Sequence, residues 1–190
     1  MKALFIICVL FVATLLSNAT PSNLNSIKLV SNNNLPDLSQ DKDFVKATIE
    51  IYTIQTRIIE TNSTELIRQA AKGTLTDAEK NKLAVNLGFS DYAALNNSFN
   101  NIGTSVQALK NKYAELNDQS TTNSLVTASV NKLAQEGKIN VKNATGGVCF
   151  WQLICAIFNC IHTSCSWADF QACLCTAYAA YTTCVNNPPR

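Results

Sequence analysis

From Asp41 onward the apolar residues of this chain recur at helical spacing. Phe44, Ile51 and Ile58 form one row, and Val45, Tyr52 and Ile59 form the row beside it. Two adjacent rows make a stripe wide enough to pack one helix against others. Thr76-Asp77-Ala78-Glu79 has the form of a capping box, and Gly88 can end the short helix carrying Leu83 and Leu87 in a left-handed turn. Ser90 is then placed to cap a much longer helix. Starting at Tyr92, its apolar positions run Leu95, Phe99, Ile102, Val106, Leu109, Tyr113 and Leu116, alternating steps of three and four. Such a row serves a coiled-coil partner or a buried seam. The flanking Asn96, Ser98, Gly103, Ser105 and Asn117 offer almost none of the charge pairing that coiled coils use, and Gly103 costs a helix about 1 kcal/mol, so an intramolecular bundle is expected. Val126, Val130 and Leu133 add one more short helix, ending near Gly137.

Past Gly137 the pattern changes. Asn140, Asn143 and Gly146-Gly147 read as a connector over 138–147. Residues 148–161 are then apolar nearly all round, and a helix of that kind must be covered by protein or lipid. At 1.5 Å per residue it reaches about 21 Å, short of the ~30 Å hydrocarbon core of a bilayer. Residues 163–166 make a turn, and Ser166-Trp167-Ala168-Asp169 is a second candidate capping box, opening a return helix with Phe170, Leu174, Tyr178 and Tyr181 among many alanines. Asn186-Asn187-Pro188-Pro189 stops it. The expected fold class is all-α, a helical bundle over 41–137 followed by a disulfide-stapled helical hairpin over 148–190.

The staple is read from cysteine spacing. Seven of the eight cysteines lie beyond residue 148. Cys149 and Cys160 are eleven apart, as are Cys173 and Cys184, so each pair shares one face of its own helix. The two pairs mirror one another about the point between Ser166 and Trp167, so folding the chain there sets Cys149 beside Cys184 and Cys160 beside Cys173. Cys155 and Cys175 then point away from the seam between the helices, and Cys165 sits in the turn. A third bridge among these three would leave one thiol for a mixed disulfide or a covalent homodimer. A metal site built from Cys160, His162, Cys173 and Cys175 is the alternative, but paired two-residue Cys knuckles are missing.

The compartment follows from the N-terminus. Met1-Lys2, an apolar run to Leu16 and the small residues Ser17 and Ala19 have the form of a secretory signal over 1–19, and an exported chain meets an oxidising space. Removing Cys8 with the leader leaves an odd number of cysteines. Residues 20–40, rich in Asn and Ser with Pro21 and Pro36, read as an extended or disordered lead-in.

Charge divides the chain. The net charge is +2 with no basic cluster, which argues against a nucleic-acid partner. Between Lys142 and Arg190 the only charged residue is Asp169, whereas residues 28–142 mix acids and bases throughout. No P-loop, GxGxxG, HExxH or GxSxG motif is present, the carboxylates are scattered, and His162 is the only histidine. No cofactor and no enzymatic activity are expected. Asn62-Ser63-Thr64, Asn96-Asn97-Ser98 and Asn143-Ala144-Thr145 fit the acceptor pattern for N-linked glycans.

Gly146-Gly147 reads either as a helix terminator or as a processing site whose cleavage releases residues 148–190. In Gly146, Gly147 and this layout the chain resembles precursors of double-glycine bacteriocins, with a longer pro-region and an N-terminal export signal. The resemblance implies a non-enzymatic peptide that acts on a membrane or protein target and is carried by the upstream helices. The layout also resembles secreted ciliate pheromone precursors, and the mirrored cysteines are similar to twin-cysteine hairpins of the mitochondrial intermembrane space. The rival expectation is an uncleaved extracellular structural or protein-binding module.

Overall fold

The computed structural model describes residues 36–140, 144–164 and 166–187. The leader, the lead-in up to residue 35, Cys8, Cys165, Asn143 and Pro188-Pro189 lie outside the described residues. Among those described, the architecture is all-α, seven helices and two short 3-10 turns without a strand.

Two aspartates set the entry to the bundle. Asp37 accepts from the Ser39 N–H (3.0 Å) and hydroxyl (2.6 Å) and pairs with Lys132, fixing a 3-10 turn over Leu38–Gln40. Leu38 is fully buried there, so the end of the 20–40 lead-in is folded rather than extended. Asp41 caps α1 (Lys42–Glu60) by accepting from the N–H groups of Asp43 (2.9 Å) and Phe44 (3.3 Å). In α1 the Phe44, Ile51 and Ile58 row is buried, whereas Ile59 of the adjacent row is exposed. The helix stops at Thr61 and Asn62, and α2 (Thr64–Lys72) follows, closed by Gly73 at φ +67°. Helix α2 is an element beyond those expected, although Leu66, Ile67, Ala70 and Ala71 share one helical face; its one fully buried side chain is Ile67.

The capping box opens α3 (Asp77–Asn86) as expected. The Glu79 N–H donates to the Thr76 hydroxyl (3.3 Å), while the Glu79 carboxylate accepts from the Thr76 N–H (2.8 Å). Asp91, not Ser90, caps α4 (Tyr92–Lys112), accepting from the Ala94 N–H at 2.8 Å while Ser90 donates to its carboxylate. A carboxylate takes the better charge-assisted bond at a helix N-terminus. Leu95, Phe99, Ile102, Val106 and Leu109 all face the protein's own core, which is the bundle arrangement. The row breaks earlier than its spacing suggests. Tyr113 is extended, its hydroxyl held by Asp41 at 3.0 Å, and Leu116 reaches the core from a 3-10 turn over Ala114–Asn117.

Asp118 caps α5 (Gln119–Gln135), a longer helix than its three apolar landmarks outlined. After Gly137 (φ +72°) the connector is held at its start, with Ile139 buried and the Asn140 carbonyl accepting from the Tyr52 hydroxyl at 3.1 Å. The connector is also shorter than expected. Helix α6 (Ala144–Thr163) already includes Gly146 and Gly147 in its first turn, and α7 (Trp167–Asn186) returns antiparallel to it. Two glycines at a helix end are tolerated when the apolar run behind them is fixed by packing.

Candidate functional site

The hairpin of α6 and α7 is closed by the nested pairing expected from spacing. Disulfides join Cys149 to Cys184 and Cys160 to Cys173, with Cα atoms 5.8 and 5.7 Å apart. At the turn, the Ser164 N–H and hydroxyl both donate to the Cys160 carbonyl, closing α6. Ser166 caps α7. Its hydroxyl accepts from the Asp169 N–H (3.2 Å) and donates to the Asp169 carboxylate (2.9 Å). The inner disulfide closes a 13-residue separation, about 3 kcal/mol on the chain-entropy estimate. The outer one contributes less than its 35-residue separation alone would give, because the inner bridge already shortens that loop.

One face of the hairpin is sunk into the bundle. Phe150, Phe158, Phe170 and Tyr178 are each almost wholly buried, and every such side chain adds roughly 2 kcal/mol of apolar burial. Three ring pairs cross the boundary, Phe158 with Phe44 (6.0 Å), Phe150 with Tyr52 (edge-on, 5.6 Å) and Tyr178 with Phe99 (6.4 Å). Polar contacts follow at the rim. Gln171 donates to Asn100 at 3.0 Å, and Arg68 of α2 donates to Thr183 at 3.3 Å.

Gly103 now has a structural reason for its place in α4. A Cβ there would lie 2.5 Å from Cζ3 of Trp167 and 2.8 Å from Cε1 of Phe170, so only glycine admits the start of α7 at this distance. Trp167 and Phe170 meet edge-on, centroids 5.8 Å apart, and form the wall that faces it. Sequence reasoning registered Gly103 only as a weakness in a helix. Its partner lies more than sixty residues away, so no local signal could have shown the fit.

Cys155 and Cys175 are free thiols, both buried. Burial pushes each up to about 12, so neither supplies thiolate near neutral pH. They form no bridge with one another, and Cys165 lies outside the described residues. Because Cys160 and Cys173 are bonded to each other, two of the three thiolates of the alternative metal site are not available, and Cys175 is a buried thiol. His162 stands in the last turn of α6. Among the described residues, no group of three or more His, Cys, Asp or Glu side chains is placed to hold a metal ion.

The boundary has two polar weak points. The Tyr178 hydroxyl and the Trp151 indole N–H are buried without hydrogen-bond partners, and burial raises the Tyr178 phenol well above its ordinary value. Between α2, α4 and α7 lies an open cleft of about 320 Å³, lined in part by Ala70, Ala71, Asn96, Phe99, Ala172 and Cys175. Its lining also carries one carboxylate, Asp169, together with Lys72 and Tyr92. No described helix is long and apolar enough to cross a membrane. No family model, curated protein or solved structure matches the chain.

Proposed function

We propose that this is an exported, non-enzymatic helical protein that acts by binding as one uncleaved unit, with the hairpin as its stapled C-terminal quarter. The observation that carries this reading is the shared core. Phe150 and Phe158 of α6 and Phe170 and Tyr178 of α7 lie inside the same buried cluster as Phe44 of α1 and Phe99 of α4. Hairpin and bundle therefore each cover apolar surface of the other. Two further facts support it. The connector is pinned at Ile139 and Asn140, and Gly146 and Gly147 lie within helical backbone, a poor shape for a protease that needs extended chain. A covalent partner would have to use Cys165, because the other six mature cysteines are bridged or enclosed.

The precursor reading keeps one specific support. The face the bundle covers is large, uncharged and aromatic, so its release would present a membrane-seeking surface. Mass spectrometry of protein recovered from medium separates the two. Recovery of the mature chain without fragments, together with resistance of residues 138–147 to limited proteolysis, is the expected result. A fragment starting near Val148, or rapid nicking there with an intact hairpin, would overturn the module reading in favour of the precursor.

A further inference from the structure

We propose that Asn62 is a site of N-linked glycosylation and that Asn96, despite its matching motif, is not; the inference rests on the reading of the chain as exported. Asn62 occupies the turn between α1 and α2 with φ +50°, a left-handed conformation that asparagine adopts more readily than most residues. It is exposed, and among the described residues its side-chain amide has no hydrogen-bond partner. The middle residue of the motif is the anchor. Ser63 is buried, its hydroxyl paired with Thr61 at 2.7 Å and accepting from the Asn86 amide at 2.9 Å. The turn is closed by the Asn62 N–H donating to the Ile59 carbonyl and the Ser63 N–H to the Ile58 carbonyl. These bonds fix Ser63 inward and hold Asn62 out on the tip of the turn. Among the described residues Thr64, which carries the hydroxyl of the acceptor motif, has no side-chain hydrogen bond either. Both groups that define the acceptor are uncommitted.

The second motif is the reverse in each respect. Asn96 and Ser98 lie inside the 21-residue helix α4. The Ser98 hydroxyl is buried and donates to Glu50 across the α1–α4 seam, and the Asn96 Oδ1 is sealed from solvent in the wall of the cleft beside α2 and α7. A bulky solvated modification suits a turn and not a helix interior packed on both sides. The third motif begins at Asn143, outside the described residues, and the proposal does not extend to it.

The reaction needs a glycosyl donor of the polyprenyl-diphosphate oligosaccharide class. The Asn62 amide nitrogen forms a bond to the anomeric carbon, the bond from that carbon to the diphosphate oxygen breaks, the amide loses one proton, and the polyprenyl diphosphate departs. No redox partner takes part.

The test is expression of the full chain, leader included, in a eukaryotic secretory host. Protein from the medium is deglycosylated by amidase in heavy-oxygen water and mapped by mass spectrometry. Heavy-oxygen aspartate at position 62 and unmodified asparagine at position 96 are expected. Asn62→Gln and, independently, Thr64→Ala should each lower the intact mass by one glycan, while Thr64→Ser keeps it. Exported protein with unmodified Asn62, or with a glycan at Asn96, overturns the proposal. A chain kept inside the cell with its leader uncut contradicts the export reading instead. The same chain behind a proven secretory leader then decides Asn62 by the same map.

Discussion

The bundle and the hairpin are held together by different means. In the bundle, most helices begin at a named polar cap, Asp41, Thr76, Asp91 or Asp118, and acids and bases pair across it, as Asp37 does with Lys132 and Asp41 with Lys112. The hairpin helices α6 and α7 carry one charged residue, Asp169, which completes the Ser166 cap, and two disulfides take the place of ion pairs. Local signals of about 1 kcal/mol each can start and stop helices, but they do not decide where a nearly uncharged helix pair comes to rest. That is decided by crosslinks and by a shaped seat. Charge marks the part of the chain that organises itself, and its loss marks the part that needs cover.

Filling the seat should break the comparison most directly. Gly103→Leu places a side chain where Trp167 and Phe170 now stand, and a loss of about 3 kcal/mol or more in urea-induced unfolding is expected. Gly103→Ala is the gentler probe, because part of its clash is offset by better helix propensity. If Gly103→Leu unfolds like the parent chain, α7 does not sit on α4 in this way.

Removing the inner staple comes next. Cys160→Ala with Cys173→Ala should lower stability by about 3 kcal/mol, read as the unfolding midpoint in denaturant. The loss belongs to the hairpin if chymotryptic cutting near the turn accelerates more than cutting in α4.

The bundle has its own strained point. Lys110 is 3% exposed and its ammonium has no partner, and burial lowers it to about 8. Its folded-state value lies below its unfolded one, so the unfolded chain binds more protons between about pH 8 and 10.5, and stability rises with pH across that window. Lys110→Met should stabilise by about 2 kcal/mol at neutral pH and flatten that rise relative to the parent chain. Equal pH profiles for the two proteins would show that Lys110 reaches water.

Asp41 gives the smallest effect and the opposite sign. Burial works against its charge, but the Lys112 ammonium, the Tyr113 hydroxyl and the N–H groups of Asp43 and Phe44 outweigh it and hold the carboxyl below its usual value. Its stabilisation is present above the unfolded value near 4 and is lost as pH falls below it. Asp41→Asn should cost about 1–2 kcal/mol at pH 7 and much less in acid, measured by thermal unfolding at both pH values.

Much of this was legible in the chain, for reasons that differ by region. Cys149, Cys160, Cys173 and Cys184 carry equal spacings about one centre, and two antiparallel helices then leave one nested pairing that keeps every bridge short. Thr76 to Glu79 is local chemistry and reads directly. Ser90 and Asp91 are neighbouring residues that both suit an N-cap, and the composition rule alone does not separate them, so an error of one residue is natural. Helix α2 escaped because it is only nine residues long; Leu66, Ile67, Ala70 and Ala71 do share one helical face, and that face docks on α7. Gly146 and Gly147 read as a break because propensity is local, whereas the packing of Phe150, Ile154 and Phe158 that holds α6 is not. The Gly103 seat and the enclosure of Cys155 and Cys175 are facts about neighbours, and they appear only when the hairpin is laid on the bundle.

The central claim is that hairpin and bundle form one cooperative unit. Native-state hydrogen exchange of the oxidised protein tests it most directly, by comparing the slowest amides of α6 and α7 with those of α1 and α4 as denaturant is added. The account predicts that both sets converge on one opening free energy and one denaturant slope. A hairpin that opens at lower free energy while the bundle stays closed, or that keeps its protection after the bundle has unfolded, would contradict it.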